Sequence, residues 1–342
     1  MIDYITCSIP VDFSRPIYGG RVISTVIGEE DEIQEYAVLK RLGVEGSHSS
    51  NVHVRCIDGC NFELKGNLVK WLQGHNLYGS DCLFDILRRS VDAIFHRAFP
   101  DLPVPTDDQL LAASLSRVDI TEMFQLADAG EVALWLRAAA QTAVISHRGR
   151  GSVTSDGNTL TWGCARGKRA SSWALIVYNK GAEVAKHPLP AVMMADEEVL
   201  NWVAKCLRFE LRMTGAELKR LNVRYVSQWI PGMARAMWTA KTGRLFFQDT
   251  AMSIQEMVGV KARVRDAYYA WMNGIDPRSG RSLATFKRLR SEVKQAYNVD
   301  ISVDRPEPGL STVDILPCRR VLQLQPVLIP NWATRIEAKL AA

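Results

Sequence analysis

The sequence contains no long apolar run, no internal repeat and no low-complexity tract. A membrane-spanning helix needs ~18 or more consecutive apolar residues, so we expect no membrane association. The first residues do not combine a basic stretch with an apolar core, so we expect no signal peptide. The seven cysteines are an odd number, and Cys56 and Cys60 lack the second pair that would complete a zinc site. We interpret all seven as reduced thiols of a cytoplasmic protein.

The chain also has no large excess of charge of one sign. Its 342 residues include 42 Lys and Arg against 37 Asp and Glu, a formal net charge of +5. This balance is compatible with a polyanionic partner but does not demonstrate one. Basic residues are concentrated in residues 148–169 and 278–294, whereas residues 29–35 are acidic. The two basic segments are therefore the candidates for contact with nucleic acid.

The order of strands and helices indicates an α+β or α/β sheet domain, and we predict an α+β fold with an antiparallel-rich sheet and packed helices. Asp58-Gly59 and Asp156-Gly157 predict the turns of two hairpins. The other predicted elements include helices near 80–98, 128–146 and 195–205, and strands near 115–124, 173–180 and 207–213. The pattern becomes mainly helical from Gly215 onwards. We therefore predict a sheet domain over residues 1–214 and a helical DNA-binding domain over residues 215–342.

Tyr178 and Lys180 close a hydrophobic run at residues 173–180. Side chains on a strand alternate between faces, so the period predicts that both point the same way. A cation beside a phenol favours the phenolate, which is a plausible nucleophile for phosphoryl transfer. The alternative is a strand-end tyrosine with its hydroxyl in water and a solvated lysine. We take both residues as candidate catalytic groups.

Two other strands carry charged residues along one face only. Arg117, Asp119 and Thr121 share a face of one strand. Arg208, Glu210 and Arg212 alternate with apolar residues along the other. An antiparallel sheet with one solvated face has the same pattern, so the pattern leaves both readings open.

The functional reading of these strands is a site for a divalent metal and a phosphate. Asp119 and Glu210 offer the hard oxygen ligands that Mg²⁺ or Mn²⁺ prefers. His75 lies in a Gly-containing loop before a helix and offers an imidazole, although a histidine in that position is often structural. The candidate metal ligands are thus Asp119, Glu210 and His75.

Arginine forks and lysines provide the candidate DNA contacts. These residues are Arg117, Arg166, Lys168, Arg169, Arg208, Arg212, Lys287, Arg288 and Arg290. The last three lie on a predicted basic helix that Ser282 can cap and that follows a turn after another helix. This helix–turn–helix-like arrangement suits a DNA groove, and a solvated helix of a bundle is the alternative.

The sequence resembles the filamentous-phage replication initiators, the gene II protein family of rolling-circle origin endonucleases. The matching segments are Met1-Ile2-Asp3, Lys70-Trp71-Leu72-Gln73-Gly74-His75-Asn76-Leu77-Tyr78-Gly79, Ser116-Arg117-Val118-Asp119, Thr159 to Trp162, Ile176-Val177-Tyr178-Asn179-Lys180 and Leu207-Arg208-Phe209-Glu210-Leu211-Arg212. They occur in the family's order and cover residues 1 to about 222. The Gln-Gly-His-Asn and Arg-Phe-Glu segments are the most specific.

The resemblance implies nicking of one strand of the double-stranded replicative form at the phage origin. It implies a tyrosine nucleophile, which falls on Tyr178, a covalent link to the 5′ phosphate, a free 3′ hydroxyl, rejoining of the displaced strand and dependence on Mg²⁺. The implied partners are double-stranded and single-stranded origin DNA, the host helicase and the host polymerase, in the cytoplasm of a bacterial host. No second tyrosine follows Tyr178 in the pattern of two-tyrosine relatives.

Two rival functions remain at this point. An origin-binding regulator that never cuts would use the basic helix but would not need Tyr178, Asp119 and Glu210 to converge. A metal phosphodiesterase that activates water would leave Tyr178 structural and would form no protein–DNA adduct.

Overall fold

A computed structural model of the chain describes residues 1–27, 32–46, 50–145, 148–163, 171–247, 260–272, 275–297, 299–303, 327 and 329–341. The strands are β1 (Ile2–Pro10), β2 (Gly19–Ile27), β3 (Glu32–Lys40), β4 (Leu42–Glu45), β5 (Asn51–Arg55), β6 (Asn61–Gly66), β7 (Ser114–Gln125), β8 (Ala143–Ile145), β9 (Gly149–Arg150), β10 (Ser152–Val153), β11 (Thr159–Trp162), β12 (Trp173–Asn179), β13 (Cys206–Thr214) and β14 (Leu245–Phe247). The helices are α1 (Leu68–Gln73), α2 (Leu83–Ala98), α3 (Asp107–Leu111), α4 (Ala129–Thr142), α5 (Lys180–Lys186), α6 (Ala191–Met194), α7 (Glu197–Ala204), α8 (Gly215–Arg220), α9 (Met233–Thr242), α10 (Ala262–Met272), α11 (Leu283–Tyr297) and α12 (Ala333–Ala341).

A nine-stranded antiparallel sheet in the order β10-β11-β12-β13-β7-β1-β6-β5-β4 organises the molecule. Two smaller sheets accompany it, β14-β8-β9 and the ribbon β2-β3. The fold is α+β with an antiparallel-rich sheet, which confirms the predicted class. Both predicted hairpins form: β5 pairs with β6, β10 pairs with β11, and each turn has a glycine in the left-handed region, Gly59 and Gly157.

The two faces of the large sheet differ in chemistry, as the alternation of its strands requires. One face is apolar and packs against helices such as α4, where the Trp135 ring centroid lies 5.5 Å from that of Phe209. The other face carries the charged residues of β7 and β13 and the side chain of Tyr178. The alternation of polar and apolar residues along β7 and β13 therefore corresponds to the two faces of the sheet.

The core under the sheet continues beyond residue 214. Leu218 of α8, together with Ala234 and Trp238 of α9, belongs to the same buried cluster as the strands. The strand β14 also lies in this stretch and pairs with β8. The sequence showed no clear strand between Gly215 and the last forty residues, and β14 departs from that pattern because a three-residue strand has too few positions to show a period.

A second core lies between α10, α11 and residues 299–301, with Tyr268 and Tyr297 stacked at a centroid distance of 4.4 Å. The predicted boundary at 214/215 stays a prediction, and these contacts favour a smaller separate unit over residues 260–303. In the described part of the chain, no helix is long and apolar enough to cross a membrane.

Candidate active site

Tyr178 occupies the penultimate position of β12, at the bottom of a cleft. It pairs in register with Thr159 of β11 and with Arg208 of β13. The cleft has a volume of about 570 Å³. It lies between the turn of the β10–β11 hairpin and helix α5, and Glu210 and Arg212 of β13 also line it. The phenol is therefore half-buried in a space that a ligand can enter.

The expectation that the strand of Tyr178 continues through Lys180 was wrong. The strand ends at Asn179, whose side-chain Oδ1 accepts a hydrogen bond from the Ala182 amide at 3.1 Å and caps α5. Lys180 is thus the first residue of a helix, where the period of two no longer applies. Asn179 followed by Glu183 was the sequence signal for this helix start.

The Lys180 side chain is almost completely buried, with 1% of its surface exposed. Its ammonium donates to Asn76 Oδ1 at 3.1 Å and to Glu183 Oε2 at 2.6 Å. Burial, together with the nearby charge of Arg208, lowers the pKa of Lys180 to about 8 although Glu183 acts to raise it. Lys180 therefore connects α5 to the loop that contains Asn76.

Arg208 is the cation that lies beside Tyr178. Burial raises the pKa of Tyr178 well above its ordinary value, and the charge of Arg208 is what acts most strongly to lower it again. Burial acts to lower the pKa of Arg208, but the negative charges of Tyr178 and Asp3 outweigh it and the pKa is raised. The two groups thus favour each other's charged forms.

Asp119 and Glu210 lie on adjacent strands and share the polar face of the sheet. Arg117 binds both Asp119 oxygens, with a distance of 2.8 Å from Nε to Oδ1. Arg212 bridges the two carboxylates, with its Nη2 2.6 Å from Glu210 Oε1 and its Nε 3.3 Å from Asp119 Oδ2. The Arg117 guanidinium also lies over the Tyr4 ring, 4.0 Å from its centroid. The carboxylates and arginines that share this face thus bind one another.

The two carboxylates are close enough to repel each other. Burial and the neighbouring charge of Asp119 raise the pKa of Glu210 to about 7, against the opposing effect of Arg212. A divalent cation would relieve this repulsion. Mg²⁺ in proteins is often held by one or two carboxylates and completed by substrate phosphates and water, so this pair fits such an ion.

His75 is not brought together with that pair. No group of three or more His, Cys, Asp or Glu residues that could hold a metal occurs among the described residues. The His75 ring is buried, its centroid lies 4.6 Å from that of Tyr78, and its Nδ1 lies 3.4 Å from the Leu77 amide. These contacts stabilise the loop after α1.

Sequence reasoning missed Asp3 and Asn76. Asp3 Oδ2 lies 2.8 Å from the Arg208 guanidinium, and the Asn76 carbonyl accepts a hydrogen bond from the same group. Both residues lie in segments that carry the family resemblance, which was the available signal. Their contacts join positions more than 100 residues apart in the sequence, and no local pattern predicts such contacts.

The predicted DNA contacts fall into three groups. Arg166, Lys168 and Arg169 lie outside the described residues. Lys287 and Arg288 are exposed on α11, whose start Ser282 caps by accepting from the Thr285 amide at 3.2 Å. Arg117, Arg208, Arg212 and Arg290 are each bound to a carboxylate. For Arg290 the partner is the fully buried Asp300, so its guanidinium holds α11 to the following turn.

Comparisons with known proteins agree with the resemblance. A family model for the N-terminal region of the phage replication-associated protein, the gene II product, matches residues 1–231. The chain is similar to the replication-associated gene II protein of Enterobacteria phage I2-2, with 29% identity over 349 residues that cover 97% of this chain and 96% of the relative. No solved structure matches the chain.

Proposed function

The chain belongs to the replication-associated gene II protein family of phage replication initiators, and on that premise we propose that it nicks one strand of double-stranded replicative-form DNA at the phage origin. The nucleophile is Tyr178. The observation that carries the proposal is its position in a cleft beside a buried arginine and next to a carboxylate pair on the same face. Working in the bacterial host's cytoplasm, the protein would cooperate with the host helicase and polymerase.

The chemistry is a transfer of a phosphoryl group to the phenol oxygen. The phenol proton leaves to solvent, and the phenolate oxygen forms a bond to phosphorus while the bond from phosphorus to the 3′ oxygen breaks. The 3′ oxygen takes up a proton and becomes the hydroxyl that primes synthesis. The 5′ phosphate stays on Tyr178, and attack by a 3′ hydroxyl on this phosphotyrosine reverses the step and rejoins the strand.

The chain's own residues orient the DNA for this step. Arg117 and Arg212 bind Asp119 and Glu210 on the face next to the cleft. When held by these two carboxylates, Mg²⁺ or Mn²⁺ would supply a Lewis acid at the phosphodiester oxygens. Exposed Lys287 and Arg288 on α11 would bind origin phosphates at a distance from the cleft.

The substitution Tyr178→Phe tests the nucleophile. Supercoiled DNA that carries the cognate origin is incubated with Mg²⁺ and resolved under denaturing conditions before and after protease. We expect the wild type to leave a nick with covalently bound protein and Tyr178→Phe to leave neither. Tyr18→Phe, which removes the hydroxyl of an exposed tyrosine, serves as the matched control and should nick normally.

Two results would contradict the proposal. A nick without an adduct that survives Tyr178→Phe would indicate a phosphodiesterase that activates water. Origin binding by folded wild-type protein without any nick would indicate a regulator that does not cut, which the exposed basic residues of α11 alone would explain.

A further inference from the structure

The Arg208 guanidinium is fixed on three sides inside the sheet. Its Nη1 donates to the Asn76 carbonyl, and its Nη2 lies 2.8 Å from Asp3 Oδ2 and 3.3 Å from Thr121 Oγ1. Only 1% of its surface is exposed. The Arg208 Nε–H is buried and has no hydrogen-bond partner within the described part of the chain. A buried donor without a partner is uncommon and calls for an explanation.

We propose that Arg208 is the catalytic cation that stabilises the Tyr178 phenolate, and that Asp3 and Asn76 are positioning residues that hold it there. The inference rests on the proposed function, because it names the group that activates its nucleophile. Tyr178 and Arg208 are direct partners on adjacent antiparallel strands, where side chains of a pair lie on the same face. In the proposed step the phenolate oxygen accepts a hydrogen bond from the remaining Arg208 donor, its Nε–H.

Lys180 does not take this role, because its ammonium is already engaged. Two of its three hydrogens go to Asn76 and Glu183. Asn76 thereby contacts both cations: its side-chain oxygen accepts from Lys180 and its carbonyl accepts from Arg208. Lys180 holds the Asn76 loop in place, and the loop in turn holds Arg208.

Asp3 is itself held rigidly. Its Oδ1 accepts from Asn67 Nδ2 at 2.6 Å, and its Oδ2 accepts from Asn76 Nδ2 at 3.4 Å. Its position coincides with an irregularity of β1 between Ile2 and Tyr4, where the register with β7 shifts. This irregularity and the loop after α1 together bring Asp3 and Asn76 to the same guanidinium. Two of the segments that carry the family resemblance, the one with Asp3 and the one with Asn76, thus both support Arg208.

Arg208 stays protonated during the proposed step and transfers no proton. The phenol proton leaves to solvent in the cleft, and the phenolate electron pair then forms the bond to phosphorus. The other charged groups that face the phenol are Glu210, Glu183 and Asp3, and Lys186, His187 and Arg212 also line the cleft. Burial and these three carboxylates oppose ionisation of the phenol, and Arg208 is the group that acts most strongly in its favour.

The test compares the rate of single-turnover nicking by Asp3→Asn and Arg208→Lys with that of the wild type, at saturating protein. The rates are measured from pH 6.5 to about 9, a range that approaches the ordinary tyrosine pKa. Arg208→Lys keeps a cation but loses the fork, and we expect the rate of adduct formation to fall by about 100-fold. For Asp3→Asn we expect a fall of roughly tenfold, the typical size for a supporting hydrogen bond. Affinity for an origin DNA fragment, measured by fluorescence anisotropy, should stay within about twofold for both, since neither side chain is exposed to bind DNA.

The direction of the Asp3→Asn effect is decisive. If Asp3 acted only through its own charge, removing that charge would make the phenolate easier to form and nicking would become faster at every pH. If Asp3 positions Arg208, nicking becomes slower. A purely structural role would lower the rate and the DNA affinity together, in proportion to the folded fraction.

Glu217→Gln is the matched control for stability. Glu217 is also a buried carboxylate with basic partners, Lys241 and Arg220, but it lies outside the cleft. It should lower the Tm while folded protein nicks at the wild-type rate. Unchanged nicking by folded Asp3→Asn and Arg208→Lys would overturn the inference and leave the proposed function intact, whereas absence of an adduct with wild-type protein would overturn both.

Discussion

Neighbouring residues shift the pKa values of Glu210 and Glu217 in opposite directions. Burial and Asp119 raise the pKa of Glu210 to about 7. For Glu217, burial also acts to raise the pKa, but hydrogen bonds from Arg220, Lys241 and Ser172 outweigh it and lower the pKa to about 2. Sequence reasoning identified Glu210 because it alternates with arginines on a strand. Glu217 has no such pattern, because Lys241 and Ser172 reach it from distant parts of the chain.

The lowered pKa of Glu217 predicts how the protein responds to acid. Its folded-state pKa lies below that of the unfolded chain, so its stabilisation is fully present above about pH 4.5. It is lost as the pH falls towards 2, and its size is about 3 kcal/mol. In Glu217→Gln this part of the pH dependence should be absent. Urea unfolding followed by tryptophan fluorescence at pH 6, 4 and 3 measures it.

The difference in the free energy of unfolding between wild type and Glu217→Gln should therefore be largest at pH 6 and shrink as the pH falls. Glu45→Gln is a control, since this carboxylate is exposed on β4, and its difference should stay small throughout. A difference for Glu217→Gln that is the same at pH 6 and pH 3 would contradict the argument.

Helix α5 shows where a sequence pattern can predict an element and where it stops. The hydrophobic run correctly predicted β12 and the position of Tyr178. The same period was then extended one residue too far, because the cap at Asn179 changes the geometry from strand to helix within a single residue. The hairpin turns at Gly59 and Gly157 were predictable, since their signals are local. The position of α5 as one wall of the cleft was not predictable, because it depends on the packing of α5 against α7 and β13.

Removal of the α5 cap should affect both stability and nicking. Asn179→Ala leaves the Ala182 amide without its side-chain acceptor and should destabilise the protein by about 1 kcal/mol. It should also slow adduct formation, because the first turn of α5 carries Lys180 and lines the cleft. Asn179→Asp keeps the capping oxygen and should restore most of both properties.

Asp128→Ala is the matched control for this prediction. Asp128 caps α4 by accepting from the Glu131 amide at 2.8 Å, and α4 packs on the apolar face of the sheet. Its loss should lower stability by a similar amount without changing the nicking rate of folded protein. Equal effects of Asn179→Ala and Asp128→Ala on nicking would mean that α5 has no special role in the cleft.

The large sheet separates the molecule into a helix-covered apolar face and a polar face that holds the cleft. The C-terminal helix α12 returns to this sheet domain: Trp332, just before it, packs edge-on against Tyr78 with a centroid distance of 5.9 Å. Arg335 of the same helix binds Asp196 at the start of α7. The second half of the chain therefore contributes α8 and α9 to the core under the sheet and α12 to a separate cluster with Tyr78 and α7, whereas α10 and α11 have a core of their own. The sequence pattern predicted a mainly helical second half with one basic helix, but only packing shows which helices belong to which core.

This arrangement predicts that DNA affinity and nicking can be changed independently. Lys287 and Arg288 are exposed on α11, outside the core that holds Tyr178. Replacing both by alanine should weaken origin binding, and the slope of log affinity against log salt should become less steep by about 2, since two phosphate contacts are lost. Fluorescence anisotropy at several salt concentrations measures the slope. Single-turnover nicking at saturating protein should stay near the wild-type rate because the cleft is unchanged.

Arg137→Ala is the control for net charge. Arg137 is exposed on α4, and α4 packs on the apolar face of the sheet, opposite the cleft. The salt slope of this variant should equal that of the wild type.

Arg290→Ala should behave differently from both of these variants. It leaves the buried Asp300 without its arginine and should destabilise the α10–α11 unit by about 3 kcal/mol or more. A double variant of Lys287 and Arg288 that keeps the full salt slope but loses nicking would show that α11 supports the catalytic sheet instead of binding DNA.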